Sequence, residues 1–311
     1  MRTHIFLAIA ILFAALAGAC QLSPSAPTAA EPATPGEPDA KARVVASAQL
    51  PGSAARIVSL APNVTEIIFA LGLGDKLVGA TRYCDYPAAA LDLPRMGGML
   101  DPDFEAIVAA RPDLVIGVLG GGDSRIGPRL ERAKIPYAFL QMDTIAQTFA
   151  GIEQLGELAG DADGGRALAA TLRQELFELA RELAPLGDAA RPSVLMVYDH
   201  QPVVAAGPGS FGHELIELAG LRNAAASIDN PYPVLDIEKV FELDPDRLID
   251  ATMSRSEEHM MGFWHQHGSL RAVREGAIVR FPDPVLLRAG PRLPEALKIV
   301  ATATATRDLA P

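Results

Sequence analysis

The chain has 311 residues, 49% hydrophobic and 21% charged, with 38 acidic residues against 27 Lys plus Arg and a formal net charge of −11. That length and apolar fraction suffice for one large or two medium globular bodies and exclude a disordered chain. The negative balance opposes nucleic acid and anionic headgroups, which are bound through Lys and Arg, and no basic patch offsets it.

Arg2 and His4 precede an apolar run of twelve residues, 5–16, short of the roughly 18 that span a bilayer. The pattern predicts an export signal over residues 1–19. Ala17, Gly18 and Ala19 lead to Cys20, the arrangement from which a lipoprotein signal peptidase releases a lipid-modified N-terminal cysteine. Ala17 stands where such boxes usually carry Leu, and a plain secretory cut after Ala19 is the alternative. The lipoprotein reading predicts a membrane anchor at Cys20 and a periplasmic location. Cys84, the other of the two cysteines, then has no partner in the chain and reads as a small buried apolar residue.

Residues 20–55 carry prolines at 24, 27, 32, 35, 38 and 51 and no aromatic residue. Neither helix nor sheet is expected there, and the stretch reads as a tether. Residues 1–55 hold three basic and three acidic side chains, which leaves the whole −11 on residues 56–311.

From Arg56 onward, short apolar runs at 57–60, 77–80, 114–117 and 137–140 alternate with helical patterns at 66–73, 104–110 and between the last two runs. The alternation predicts an α/β lobe with a mostly parallel sheet over 56–160. Asn63, three residues ahead of Glu66, predicts a capping box at the first helix. Gly120-Gly121-Gly122 predicts a flexible loop facing a cleft. Leu168, Leu172, Leu176, Leu179 and Leu183 recur at spacings of three and four, predicting one long helix over 161–187. A second α/β lobe follows over 188–311.

Two internal matches support paired lobes. Glu66-Ile67-Ile68-Phe69-Ala70-Leu71-Gly72-Leu73 recurs as Glu214-Leu215-Ile216-Glu217-Leu218-Ala219-Gly220-Leu221, and Glu105, Pro112, Asp113 and Ile116 recur 133 residues later as Glu238, Pro245, Asp246 and Ile249. Two similar lobes joined by a stiff helix leave a cleft between them, where ligands bind.

Gly207-x-Gly209-x-x-Gly212 imitates a dinucleotide fingerprint and raises a rival reading, a nucleotide-dependent enzyme. No acid clearly placed after a following strand completes it, and the glycines read as a turn and a helix start. Pro208 spoils a nucleophile elbow at Ser210. No nucleophile, base and orienter set stands out, so the chain reads as a binding protein and not an enzyme. His259, His265 and His267, near Glu257 and Glu258, raise a zinc site, but Gly262, Gly268 and Ser269 predict a solvated loop. Trp264, the single Trp, either walls the cleft or anchors that loop.

The runs Arg56-Ile-Val-Ser-Leu-Ala-Pro-Asn-Val-Thr-Glu66, Val78-Gly-Ala-Thr-Arg-Tyr-Cys-Asp-Tyr-Pro87, Gly97-Gly98 and Ala110-Arg-Pro-Asp-Leu-Val-Ile-Gly117 resemble the helical-backbone (class III) periplasmic substrate-binding proteins of ABC importers. That family carries cobalamin, ferric siderophores and haem. Ala206-Gly-Pro-Gly-Ser-Phe-Gly-His-Glu-Leu-Ile-Glu-Leu-Ala-Gly220 and Arg288-Ala-Gly-Pro-Arg292 are similar to its cobalamin-binding branch, and the resemblance spans about residues 56–307. It implies two Rossmann-like lobes joined by one long rigid α-helix, with the ligand in the cleft between lobes.

The resemblance also implies roles. Glu105 and Glu238 match the acids that dock such proteins on the permease dimer with its ATPase subunits. Each reads as a first-turn residue of a helix, where a carboxylate is stabilised by the helix N-terminus; the plainer reading is that each serves only its own helix. Tyr83, Tyr232, Arg288 and, at a spacing shifted by one, Asp283 match cobalamin contacts. Met99, Val118 and Val204 stand where the branch carries aromatics, and Met99 retains an apolar, adaptable thioether to cover a corrin face. The plainer reading of the tyrosines is that of loop aromatics packed beside prolines. The expected ligand is cobalamin or a related corrinoid, with a ferric siderophore or haem as the alternative. No resident cofactor or metal is expected, the chain is expected to act as a monomer, and closure of only a few degrees is expected about the helical connector.

Overall fold

Two β-sheets organise the chain, and the alternation of side chains along their strands sets its layers. The computed structural model describes residues 43–120, 123–183, 191–252, 257–280 and 284–305. Cys20, Asp283, Gly121, Gly122 and the last residues of the expected helix at 161–187 lie outside them.

The first sheet holds β1 (Val44–Ala46), β2 (Ile57–Ser59), β3 (Leu77–Ala80), β4 (Leu114–Val118) and β5 (Tyr137–Leu140) in the order β1-β5-β4-β2-β3. Its pairings are parallel except that of β1 with β5. Along β4, Leu114 and Ile116 enter one apolar layer and Val115 the other, the two-residue period of a strand covered on both faces. Helices α2 (Phe104–Ala110) and α3 (Asp123–Arg132) cover the Val115 side through Ile107, Ile126 and Leu130. On the Ile116 side lie α1 (Pro62–Ala70) and α4 (Ile145–Ala159).

β1 corrects the expectation that no sheet forms over residues 20–55. Val44, Val45 and Ala46 pair with Leu140, Phe139 and Ala138. Residues 39–50 contain no proline, so their N–H groups are free to join the open edge of β5.

The second sheet holds β6 (Ser193–His200), β7 (Val203–Ala205), β9 (Val234–Leu235), β10 (Arg247–Asp250) and β11 (Ile278–Arg280) in the order β11-β10-β6-β7-β9, with β8 (Arg222–Asn223) also on β6. Val194 and Met196 of β6 face α6 (Phe211–Leu218) and α10 (Leu293–Ala305). Leu195 and Val197 face α7 (Ile237–Leu243), α8 (Glu257–His265) and α9 (Arg271–Arg274).

Between the sheets runs α5 (Ala162–Glu182), 21 residues and about 30 Å long at 1.5 Å per residue. Asp161 caps it, accepting from the Gly164 N–H at 2.9 Å. Leu172 and Leu176 are buried, and Leu168, Leu179 and Leu183 pack beside them, in one layer shared by both sheets, α4, α6 and α10. The leucine stripe is thus the inner face of the helix. Helices α4 and α5 meet through glycine: a Cβ on Gly156 would stand 2.7 Å from the Gly165 Cα, so no larger residue permits this approach.

The sequence repeat has a structural basis. Helices α2 and α7 open on Asp103 and Asp236, which accept from the N–H of Ala106 (3.0 Å) and Lys239 (2.7 Å). Each ends on a left-handed residue, Arg111 (φ 46°) and Asp244 (φ 36°). Asp113 then accepts from the N–H of Ala55 and Arg56 at 2.9 and 3.0 Å, and Asp246 from Ser193 at 2.8 Å. Each Pro-Asp turn ties a helix end to the start of the neighbouring parallel strand.

Two local expectations change. No side chain caps α1; Ala61 is the cap residue and Pro62 takes the first position, while Asn63 donates to the Ala289 carbonyl at 3.0 Å. The expected capping box is therefore absent, because Asn63 and Glu66 both have partners near α10. The stretch expected as a solvated loop around His265 forms α8, and Trp264 is fully buried beneath it. Cys84 is buried and unpaired, but its thiol lies 3.1 Å from the hydroxyls of both Thr65 and Thr81. Burial pushes that thiol up despite these contacts. Gly209 (φ 87°) turns the chain and Ser210 caps α6, accepting from the His213 N–H at 3.2 Å.

Candidate functional site

Residues on α1 and in the segments after β3 and β5 meet α6, the Tyr232 loop and the chain ahead of α10 along one seam. Glu66 of α1, 3% exposed, stands at its centre. Its Oε1 accepts from Arg288 Nη1 and Arg292 Nη2, and its Oε2 from Arg292 Nε, each at 2.9 Å. Both guanidiniums are buried, at 5% and 8% exposure. Arg288 also donates to the Tyr83 carbonyl at 3.0 Å and pairs with Asp85 at 2.7 Å. Burial opposes the Arg288 charge, and Asp85 and Glu66 outweigh it, holding the guanidinium above its ordinary value. Arg292 lies over the Tyr86 ring, 4.1 Å from its centroid, a cation–π contact. Two buried cations thus face two carboxylates, which offsets the cost of removing them from water.

A second group of contacts joins the halves around Asp143. Its carbonyl accepts from the Phe211 N–H at 2.5 Å and its Oδ1 from the Tyr232 hydroxyl at 3.3 Å. Glu214 of α6 accepts from the Ile145 N–H at 2.6 Å, capping α4 from the opposite half. Burial pushes the Glu214 carboxyl up, partly countered by that N–H. Burial first, then the neighbouring Asp143 carboxylate, pushes the Tyr232 phenol up. Tyr198, its ring 6.1 Å from that of Tyr232, has a buried hydroxyl without a hydrogen-bond partner among the described residues.

Tyr83 and Tyr232, from opposite halves, each remain 37% exposed. Leu100 and Tyr86 in the first half and Val234 in the second are exposed as well. Met99 and Val118 are half-buried in the first half, and Val204 is half-buried opposite Val234. Arg288 reaches Tyr83 through its carbonyl and presents little surface of its own. Among the described residues, no hydrogen bond joins Tyr83, Tyr232 and Met99 to one another.

Glu105 and Glu238 are exposed in the first turns of α2 and α7. Glu105 lies 3.1 Å from Arg129, whose guanidinium stacks 4.1 Å over Phe104. Glu238 has no ion-pair partner among the described residues.

The second half also contains a cavity of about 950 Å³ lined by His200, Val203, Leu235, Thr252, Phe263 and His267, among others, and, among the described residues, by none of the expected ligand contacts. His200 Nε2 lies 2.6 Å from Asp250 Oδ2, and its ring stacks 4.4 Å from Phe263. Among the described residues no group of three or more His, Cys, Asp or Glu is arranged to hold a metal, and no helix is long and apolar enough to cross a membrane.

Sequence reading missed Asp143, His200, Asp250 and the seam role of Glu66. Only the repeat of Glu66 as Glu214 pointed toward any of them, since His200 meets Asp250 50 residues away and Glu66 meets Arg292 226 residues away.

Residues 57–285 match the family described as periplasmic binding protein. The chain is 30% identical over 254 residues to a vitamin B12-binding protein of Vibrio cholerae serotype O1, covering 81% of this chain and 90% of that one. Among solved structures, it is similar to the periplasmic vitamin B12 binding protein BtuF of Vibrio cholerae (TM-score 0.69, 28% identity, 84% of this chain and 100% of that one). It is equally similar to the apo form of the periplasmic heme-binding protein RhuT from Roseiflexus sp. RS-1 (TM-score 0.70, 28% identity, 81% and 99%).

Proposed function

Because this chain belongs to the periplasmic binding protein family, we propose that it captures cobalamin or a related corrinoid at the seam of its halves and delivers it to the permease of an ABC importer. The observation that carries this reading is the pair of exposed tyrosines, Tyr83 and Tyr232, offered from opposite halves beside a rigid polar seam. Aromatic faces on two sides suit a broad, partly apolar plate fringed with polar groups. Met99 covers the same plate from the first half, and Asp283 is kept as a further contact.

Glu105 and Glu238 present one exposed carboxylate per half, and in this reading they pair with cations on the two-fold permease, which positions the complex and speeds encounter. Cys20 carries the lipid anchor. A haem or ferric siderophore ligand is the second reading, favoured by the equal likeness to a heme-binding structure and by Val118 and Val204 in place of aromatics.

A thermal-shift screen against cyanocobalamin, haem and ferric siderophores tests the proposal, since a ligand of the folded state raises the melting temperature by mass action. A rise with cyanocobalamin alone supports the first reading. A rise with haem or a siderophore alone replaces it with the second.

A further inference from the structure

Glu66 has almost no accessible surface, yet it is the common acceptor for the two side chains that hold the Tyr83 loop against the seam. Arg288 grips the loop at the Tyr83 carbonyl and at Asp85, and Arg292 covers the Tyr86 ring. Both arginines share one oxygen of Glu66. Without that carboxylate two like charges would stand side by side. The far side of the loop is held separately, by Arg95 donating to the carbonyls of Thr81 and Cys84 at 3.1 and 3.0 Å. Loss of Glu66 would therefore free the side that faces the seam and leave the other anchored.

We propose that Glu66 is a positioning residue of the ligand site: through Arg288 and Arg292 it fixes residues 83–86, and so sets affinity for the ligand without touching it. This rests on the reading of Tyr83 as a ligand contact. The physical link is a bidentate, buried carboxylate–guanidinium pair, whose geometry is stiff in direction as well as distance. The glutamate and the arginines are more than 220 residues apart in the chain, so the loop of the first half is held in place by residues of the second.

The test compares wild type with Glu66→Gln and Arg288→Lys, using calorimetry with cyanocobalamin and amide hydrogen exchange across the chain. Glu66→Gln is expected to weaken binding roughly tenfold, with faster exchange confined to residues 81–87 and unchanged exchange in β6. Arg288→Lys, which loses the fork, is expected to show the same pattern. Affinity within about twofold of wild type, or faster exchange spread evenly over both halves, overturns the proposal. If Glu66→Gln does not fold, Asp85→Asn loosens the same fork from its exposed end; unchanged exchange at Tyr83 in that variant is then decisive against it. If wild type binds no cyanocobalamin, the functional reading fails by itself and the exchange pattern alone decides whether Glu66 positions the loop.

Discussion

Glu66 and Glu214 are equivalent residues of a repeated helix, and each directs its carboxylate across the seam to the other half. Glu66 meets Arg288 and Arg292, and Glu214 meets the Ile145 N–H. The two contacts differ in charge balance: Glu66 has two cations, while Glu214 has only a helix N-terminus.

That difference gives Glu214 a distinct pH signature. Its carboxyl is pushed up by burial, so the folded state holds the proton more tightly than the unfolded chain does. The associated stability is fully present below an unfolded value of about 4.3 and is lost as pH rises through the folded value. Glu214→Gln keeps an oxygen for Ile145 and removes the charge. It should melt higher than wild type at pH 7, by about 2–4 °C per kcal/mol gained, with the gap closing toward pH 4. Calorimetric melting temperatures across that range check this, and a lower midpoint at pH 7 would contradict it.

Asp250 shows the opposite sign. Burial pushes its carboxyl up, but hydrogen bonds from His200, Thr252 and Trp264 overcome this and hold it below the ordinary range. Its contribution is present above the unfolded value of about 3.9 and lost as pH falls through the folded value. Asp250→Asn should cost about 2–4 kcal/mol at pH 7 and progressively less as pH falls through the folded value. Urea unfolding followed by the emission of Trp264, the sole Trp, measures both.

Tyr83→Ala and Tyr232→Ala should each weaken cyanocobalamin binding on the order of tenfold or more, as loss of a central aromatic does. Tyr232→Phe, which keeps the ring and loses only the 3.3 Å contact to Asp143, should stay within a few-fold of wild type. Calorimetric titration distinguishes them; equal losses in Ala and Phe variants would assign Tyr232 to the seam and not to the ligand.

Glu105→Arg and Glu238→Arg should abolish stimulation of the permease ATPase in reconstituted vesicles and leave ligand affinity unchanged, with the melting temperature lowered by only a few degrees from the reversed charge at each helix N-terminus, since both side chains are exposed. Glu105 already has Arg129 at 3.1 Å, so Arg129→Gln should strengthen docking modestly by releasing that carboxylate. Retained stimulation in the double variant would remove both acids from the docking surface.

The parts of the fold legible in the sequence were those with local causes. The short apolar runs and the period-3.6 pattern placed β2, β3, β4 and β5 of the first sheet and the leucine face of α5 within a residue or two, and the Pro-Asp repeat anticipated the matching ends of α2 and α7. What escaped depends on distant partners. β1 forms because β5, some 90 residues away, has an open edge. Asn63 and Glu66 fitted a capping box by spacing, yet their partners lie 222 to 226 residues on. The glycines and histidines around α8 looked like loop chemistry because the force that orders the helix, burial of Trp264 against Asp250, is tertiary.

The apolar layer that α5 shares with both sheets has a mechanical corollary. The two halves resemble each other in plan, but they are not separable bodies: cutting the gene near residue 187 would strip each fragment of the wall against which its inner helices rest. A calorimetric scan should accordingly show one endotherm, and either fragment expressed alone should be recovered as aggregate.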